Sequence, residues 1–339
     1  RAGASREEIQ RELGHVVAVD DVSFSVAPEE TFAVMGLSGS GKSTLLRCIN
    51  RLITPTAGQV QIDGEDVTEA DEERLRHIRL RKLGMVFQHF ALFPHRSVAE
   101  NVEYGLKVRG LDADERRKKA LEWLDAVGLA DWADRPPEDL SGGMKQRVGL
   151  ARALAVEPEI LMMDEPFSAL DPLIRRDMQD ELITLQRRFR KSIIFITHDL
   201  HEALRLGNRI AIMKQGRFVQ IGTPEEIVDR PADSYVAAFT QDVDRSRVVT
   251  AGAIMRRLDD SARKELGADA PSVSEDAHLI DVFPLCRDDQ PIAVIDHRDR
   301  PVGMIRPIDL IARMLPPEAV RTARERPEES VEPALQKEA

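Results

Sequence analysis

Apolar and polar positions alternate along this chain in two rhythms, and each predicts a different element. Short unbroken apolar runs at 31–35, 84–88, 160–163 and 192–197 predict strands buried on both faces, as in a parallel sheet. Residues 209–213 and 218–221 predict two more strands around a Gln215-Gly216 turn. Strict alternation at Val22, Phe24 and Val26, and again at Val60 and Ile62, predicts half-exposed strands. The dipeptide Asp63-Gly64 marks a hairpin turn after the second pair. Helical spacing appears over 5–13 and at Leu45, Leu46, Ile49 and Leu52. Ser97 with Glu100 forms a capping box, and residues 112–127 carry an apolar stripe of Ala120, Leu121, Leu124 and Val127. These helices follow one another without a strand between them, which predicts a helical insert at about 89–158 in an α/β core beside a small antiparallel region. Thr223-Pro224-Glu225-Glu226 opens another helix with cap, N1 proline and N3 glutamate in place.

The pattern dissolves into polar residues over 242–247, the expected domain boundary, so that a large domain covers 1–240. A small α+β unit follows over 248–316. It comprises a helix from about Ala277, a strand at 291–295, a turn at Asp299-Arg300, a strand at 301–305 and a helix at 308–315. Residues 317–339 are rich in Glu, Arg and Pro and nearly devoid of large apolar side chains, which predicts disorder.

Composition narrows the function. The chain has 339 residues, enough for two domains, and a net charge of -11 that argues against a nucleic-acid partner. Its two cysteines, Cys48 and Cys286, lie far apart and form neither a metal-ligand pattern nor a disulfide framework, which points to a reducing compartment. No apolar run approaches the ~20 residues of a membrane helix, so any membrane role is expected to run through a partner. The sequence begins at Arg1 rather than Met, and a segment upstream of it is expected.

The candidate chemistry starts at Gly36-Leu37-Ser38-Gly39-Ser40-Gly41-Lys42-Ser43-Thr44, between a predicted strand and a predicted helix. This fits G-x-x-x-x-G-K-[ST], in which backbone N–H groups surround phosphates, the lysine reaches the β/γ-phosphates and the hydroxyl holds Mg²⁺. The helix N-terminus adds orphan donors and a positive dipole end. A second anion site is possible at Ser141, Gly142 and Gly143, where Ser141 can cap the next helix and the glycines admit a ligand; an ordinary capped helix explains the same residues. Asp164-Glu165 and His198-Asp199 each end an apolar strand, at the edge where open α/β sheets bind ligands.

With the phosphate loop, Gln88, the stretch Leu140-Ser141-Gly142-Gly143-Met144-Lys145-Gln146, Asp164-Glu165, Ser168-Ala169-Leu170-Asp171 and His198 in this order, residues 17–236 resemble the ATP-binding subunit of an ABC transporter. The wording GLSGSGKST, FALFPH, LSGGMKQRVGLARAL and FSALDPLIR is similar to the subfamily that imports glycine betaine, proline and related quaternary amines. The resemblance implies a P-loop NTPase core with an antiparallel β subdomain and a helical insert, binding ATP and Mg²⁺. It implies that Lys42 and the loop amides hold phosphates, that Ser43, Asp164 and Gln88 serve the metal, and that Glu165 is the general base. His198 would contact the γ-phosphate. Ser141, Gly142, Gly143 and Gln146 would act on the ATP of a second copy, with Asp171 in the loop between the sites. Implied partners are that second copy, two membrane-spanning permease subunits and a solute-binding protein, at the cytoplasmic face of the inner membrane.

Two further expectations come with the resemblance. The position that commonly stacks adenine falls on Leu13, so either a plain apolar contact holds adenine or the aromatic lies upstream of Arg1, the latter being the favoured expectation. Residues 290–315 resemble the strand-strand-helix part of a CBS repeat, but only one repeat is recognisable, with Arg306 where Ser or Thr usually stands three residues before Asp309 and with Pro284 in the first helix. A dimerisation or structural role and a nucleotide-sensing role both remain open for it. Other readings of the chain are import of an amino acid or polyamine, and a non-transport ABC ATPase; the latter predicts twin nucleotide domains or basic arms. A binding module with lost chemistry would lack Lys42, Glu165 or His198, and all three are present.

Overall fold

The structure is a computed structural model that describes residues 6–88, 90–259, 262, 265–267, 270–286 and 290–314. Residues 317–339, expected to be disordered, lie outside these. The chain divides into two compact units, the first running to Ile227 and the second from Val228.

The first unit opens with α1 (Arg6–Leu13), β1 (Thr31–Met35) and α2 (Lys42–Ile49). The hairpin β2 (Gln61–Ile62) and β3 (Glu65–Asp66) follows, then α3 (Glu72–Arg81) and β4 (Leu83–Val86). The insert comprises α4 (Val98–Val108), α5 (Ala113–Ala126) and α6 (Gly142–Ala155). Then come β5 (Ile160–Asp164), α7 (Pro172–Phe189), β6 (Ser192–Thr197), α8 (Leu200–Leu206), β7 (Arg209–Lys214) and β8 (Arg217–Gly222), and α9 (Pro224–Asp229) contains the boundary between the units.

Six strands form one sheet in the order β4-β5-β6-β1-β7-β8, parallel except for β8. Its central strands are buried on both faces, which is why their sequences run apolar without alternation. Register positions the chemistry: Met35 pairs with Thr197, Asp164 with Ile196 and Val86 with Met163. The residues that follow β1, β4, β5 and β6 therefore emerge along one edge of the sheet. Leu45, Leu46 and Ile49 of α2 pack with Phe32, Val34, Met162 and Ile194 in a common core.

In the hairpin, Asp63 and Gly64 adopt φ of 49° and 76°, the two left-handed residues that a tight β-turn of this kind needs. The Ser97–Glu100 capping box forms, and so does its counterpart at Thr223 and Glu226. Three sequence expectations change. Val22, Phe24 and Val26 pack their apolar side chains onto the core, but no strand forms there among the described residues, because alternation fixes which way side chains face and a ladder also needs a neighbouring edge. Leu52 lies beyond α2, after Arg51 turns the chain at φ 53°, and it is exposed. Within the α5 stripe Ala120, Leu124 and Val127 are buried against α4 and α6, whereas Leu121 is 37% exposed at the margin of that face.

The second unit holds α10 (Ser234–Thr240), α11 (Ala251–Ile254), β9 (Arg256–Arg257), β10 (Ser272–Ser274), α12 (Leu279–Val282), β11 (Ile292–Ile295), β12 (Pro301–Ile305) and α13 (Pro307–Met314). Its sheet runs β10-β11-β12-β9 over a core of Val249, Leu279, Val282, Ile292, Val294, Ile305 and Leu310. Residues 242–247 form a turn here, in which Asp244 accepts from Ser246 N and Arg245 donates to the Val228 carbonyl. The β11–β12 turn is held by Asp296, which accepts from the backbone of Arg298 and Arg300 and from the Arg300 guanidinium. That guanidinium, with the two amides, holds the Asp296 carboxyl down at a pKa of about 2. The helix expected from Ala277 begins at Leu279, and Leu315 lies outside the described residues.

Candidate nucleotide site

The loop between β1 and α2 has the geometry of an anion cradle. Gly41 sits at φ 108° before α2, and a Cβ there would lie 2.2 Å from the Ala18 carbonyl oxygen, so only glycine fits. No side chain caps α2, although α3, α4, α5, α6, α7 and α8 are all capped by Asp or Ser side chains. Its first-turn N–H groups, on Lys42, Ser43 and Thr44, are thus left for an external acceptor. Lys42 is buried and donates to the carbonyls of Gly36 and Leu37, at 2.7 and 3.1 Å. Burial lowers its pKa, and the carboxylates of Glu165 and Asp164 oppose that shift. Leu37, Ser38 and Gly39 form the exposed crest of the loop, and the Ser40 hydroxyl is buried without a hydrogen-bond partner.

The strand ends deliver the other groups. Ser43 Oγ donates to Asp164 Oδ1 at 2.8 Å, while Arg47, one turn further along α2, comes within 3.8 Å of Asp164 Oδ2. Glu165 follows β5 in a left-handed conformation, φ 46°, and its N–H donates to the Ile196 carbonyl. A non-glycine residue in that region is strained, a state that persists where surrounding structure demands it. Here the demand is visible: one carboxylate oxygen, Glu165 Oε2, meets both Gln88 Nε2 at 3.4 Å and His198 Nδ1 at 3.2 Å. The predicted residues therefore meet in two sets, Ser43 with Asp164 and Gln88 with Glu165 and His198, tied together by the consecutive Asp164 and Glu165, whose carboxylates both act on Lys42. The paired Ser43 hydroxyl and Asp164 carboxylate are hard oxygen donors of the kind that Mg²⁺ takes.

The trimethylamine N-oxide transport system ATP-binding protein TmoW of Ruegeria pomeroyi is 48% identical over 303 residues, which cover 87% of this chain and 88% of that protein. The chain belongs to the ABC transporter family. A profile of that family, described as ABC transporter, matches residues 19–168. The glycine betaine transport ATP-binding protein OpuAA of Bacillus subtilis is 57% identical over 257 residues, 76% of this chain. The glycine betaine/proline betaine transport system ATP-binding protein ProV of Escherichia coli is 54% identical over 255 residues, 75% of this chain. The matched part spans 62% and 64% of the length of those two relatives. Among solved structures, the cassette MJ0796 in a dimeric post-hydrolysis state with ADP and Pi superposes with a TM-score of 0.57 at 38% identity, over 61% of this chain and 90% of that one. The fold of the first unit is accordingly the P-loop NTPase fold of ABC cassettes.

The signature, the stretch 141–146 that the resemblance assigns to the ATP of a second copy, is a separate place in the cassette. Ser141 caps α6, its Oγ accepting from Met144 N at 3.3 Å. Gly142 is exposed, and a Cβ there would make only ordinary contacts, 3.9 Å from the Ala169 carbonyl oxygen and 4.0 Å from Leu170 Cδ2. Gly143 serves packing as well as access: a Cβ there would lie 2.3 Å from Ile174 Cγ2, so the first turns of α6 and α7 approach closely. Gln146 is 2% exposed and its Oε1 has no hydrogen-bond partner, so unlike Ser141 and Gly142 it faces inward. Asp171 caps α7 through Ile174 N. Beside the Gln88 segment lies an open depression of about 300 Å³ lined by Phe87, Ala91, Phe93, Tyr104, Arg152 and Val156. The sequence reading missed Arg47 and Arg152, since a basic residue on a helix carries no local sign of what it reaches.

Proposed function

We propose that this chain is the ATP-hydrolysing subunit of an ABC importer, working as a nucleotide-sandwich dimer that drives uptake of glycine betaine, proline or a related quaternary amine. The observation that carries the chemistry is the convergence of Gln88 and His198 on one oxygen of Glu165, next to an uncapped phosphate loop. Lys42 and the amides of the loop would hold the β- and γ-phosphates of ATP. Ser43, Asp164 and Gln88 would hold Mg²⁺, which supplies charge neutralisation on the phosphate oxygens when bound. Glu165 would orient and deprotonate water, and His198 would stabilise charge on the departing phosphoryl group. Ser141, Gly142 and Gly143 would close the site of the second copy, with Asp171 between the two sites, while Gln146 would support α6 from within.

The partners follow from the same reading: a second copy, two permease subunits that seat on the Phe87–Tyr104 depression, and a solute-binding protein. The subunit would lie peripherally on the cytoplasmic face of the inner membrane; among the described residues no helix is long and apolar enough to cross one. The second unit would be a single CBS-like module in a structural or dimerising role. Arg306 grips Asp309 through both oxygens, at 3.0 and 3.1 Å, which leaves that carboxylate occupied rather than open to a ribose.

The cargoes for which the relatives are named guide the assignment here. Glycine betaine recurs at higher identity, whereas the trimethylamine N-oxide protein matches over more of both chains, and this favours trimethylamine N-oxide as a second reading. The test is ATP hydrolysis by the chain purified with its permease and solute-binding protein, with glycine betaine, proline, trimethylamine N-oxide, a polyamine or buffer. Stimulation by glycine betaine or proline supports the assignment, and stimulation by trimethylamine N-oxide alone moves it to the second reading. Stimulation by the polyamine alone would overturn both cargo assignments.

A further inference from the structure

Phe90 and Ala91 are consecutive non-glycine residues in the left-handed region, at φ 58° and 48°. Such a pair is costly for L-residues and persists only where something holds it. The holder is visible: Arg152 Nη2 donates to the Phe90 carbonyl at 2.8 Å and Nη1 to the Ala91 carbonyl at 2.6 Å. Arg152 belongs to α6, and the Phe90 carbonyl passes close over Gly149 one turn earlier, 3.8 Å from where a Cβ would stand. No carboxylate pairs with Arg152 among the described residues. Burial pulls the guanidinium below its ordinary pKa, and the two carbonyls are its compensation. The planar fork of arginine suits two adjacent acceptors, a geometry that the single ammonium of lysine does not reproduce.

The placement gives this latch a purpose. Gln88, two residues before Phe90, touches Glu165, and Ala91 lines the open depression. Arg152 sits ten residues after Gly142 on the same helix, about 15 Å along its axis. One rigid helix thus carries the signature at its start and the latch near its end.

We propose that Arg152 is a positioning residue that clamps the Gln88–Phe93 segment to the signature helix, so that Gln88 stays aimed at Glu165 and moves together with Ser141. The Gln88 part of this inference rests on the ATPase reading; the clamp itself does not.

The test uses the full chain with Arg152→Met and Arg152→Lys. Hydrogen exchange reads the clamp: the amides of residues 90–93 should exchange at least ~10-fold faster in Arg152→Met, with the phosphate-loop amides unchanged and Arg152→Lys in between. ATP turnover reads the positioning: kcat should fall roughly 10-fold while KM for ATP stays within about twofold. Exchange that matches the unsubstituted chain, or that rises evenly over the first unit, overturns the clamp. Faster exchange with unchanged kcat overturns the positioning role. An unsubstituted chain without ATPase activity would defeat the ATPase reading, and the exchange result would still decide the clamp.

Discussion

Replacement of Glu165 by Gln is expected to leave ATP binding intact and to lower turnover by roughly 10²–10⁴, the range for losing a general base. Binding is expected to survive because the groups proposed to hold phosphate lie elsewhere, on the loop amides, on Lys42 and at the uncapped start of α2. The isosteric amide also keeps an oxygen that can accept from Gln88. What disappears is the negative charge that Gln88 and His198 share, and with it the capacity to take a proton from water. The measurement is single-turnover hydrolysis beside equilibrium binding of a fluorescent ATP analogue. Undiminished turnover removes Glu165 from the role.

Ser141→Arg is expected to stop hydrolysis, by ~10² or more, while ATP binding to the isolated chain is unaffected. Two effects are combined in that substitution. Loss of the α6 cap costs about 1 kcal/mol, which a folded cassette tolerates, and Ser141→Ala isolates this part. The second effect is a long cation placed beside Gly142, on the exposed start of α6 where a second copy's ATP is proposed to dock. If the signature completes a partner's site, Ser141→Arg is far worse than Ser141→Ala in turnover and equal to it in ATP binding. Equal turnover in the two variants contradicts the shared site.

How much of this was legible beforehand depends on the range of the interaction. Local rules were sufficient where the partner is a few residues away: the Ser97–Glu100 box, the Asp63-Gly64 turn, the Ser141 cap and the phosphate loop all form as their sequences predict. Strand order and register are non-local, so the sequence could place Asp164-Glu165 and His198 at strand ends but could not bring Gln88 and His198 to the same oxygen of Glu165. The second role of Gly143 depends on Ile174, some thirty residues away in another helix. Val22 to Val26 show the reverse case, in which a correct facing pattern exists without the ladder it usually accompanies. Arg152 is the furthest from local reach, since its meaning lies in two carbonyls about sixty residues upstream.

The central claim is that the phosphate loop of one copy and the signature of another make a single hydrolytic site. Co-assembly of the two inactive variants, Glu165→Gln and Ser141→Arg, tests it directly. In a mixed dimer one site combines an intact Glu165 with an intact Ser141, and the other site collects both defects. The account predicts that mixing restores hydrolysis well above the sum of the separate variants, up to roughly a quarter of the unsubstituted rate when assembly is random. Activity that stays at the sum of the two would place both functions in one chain and contradict the account.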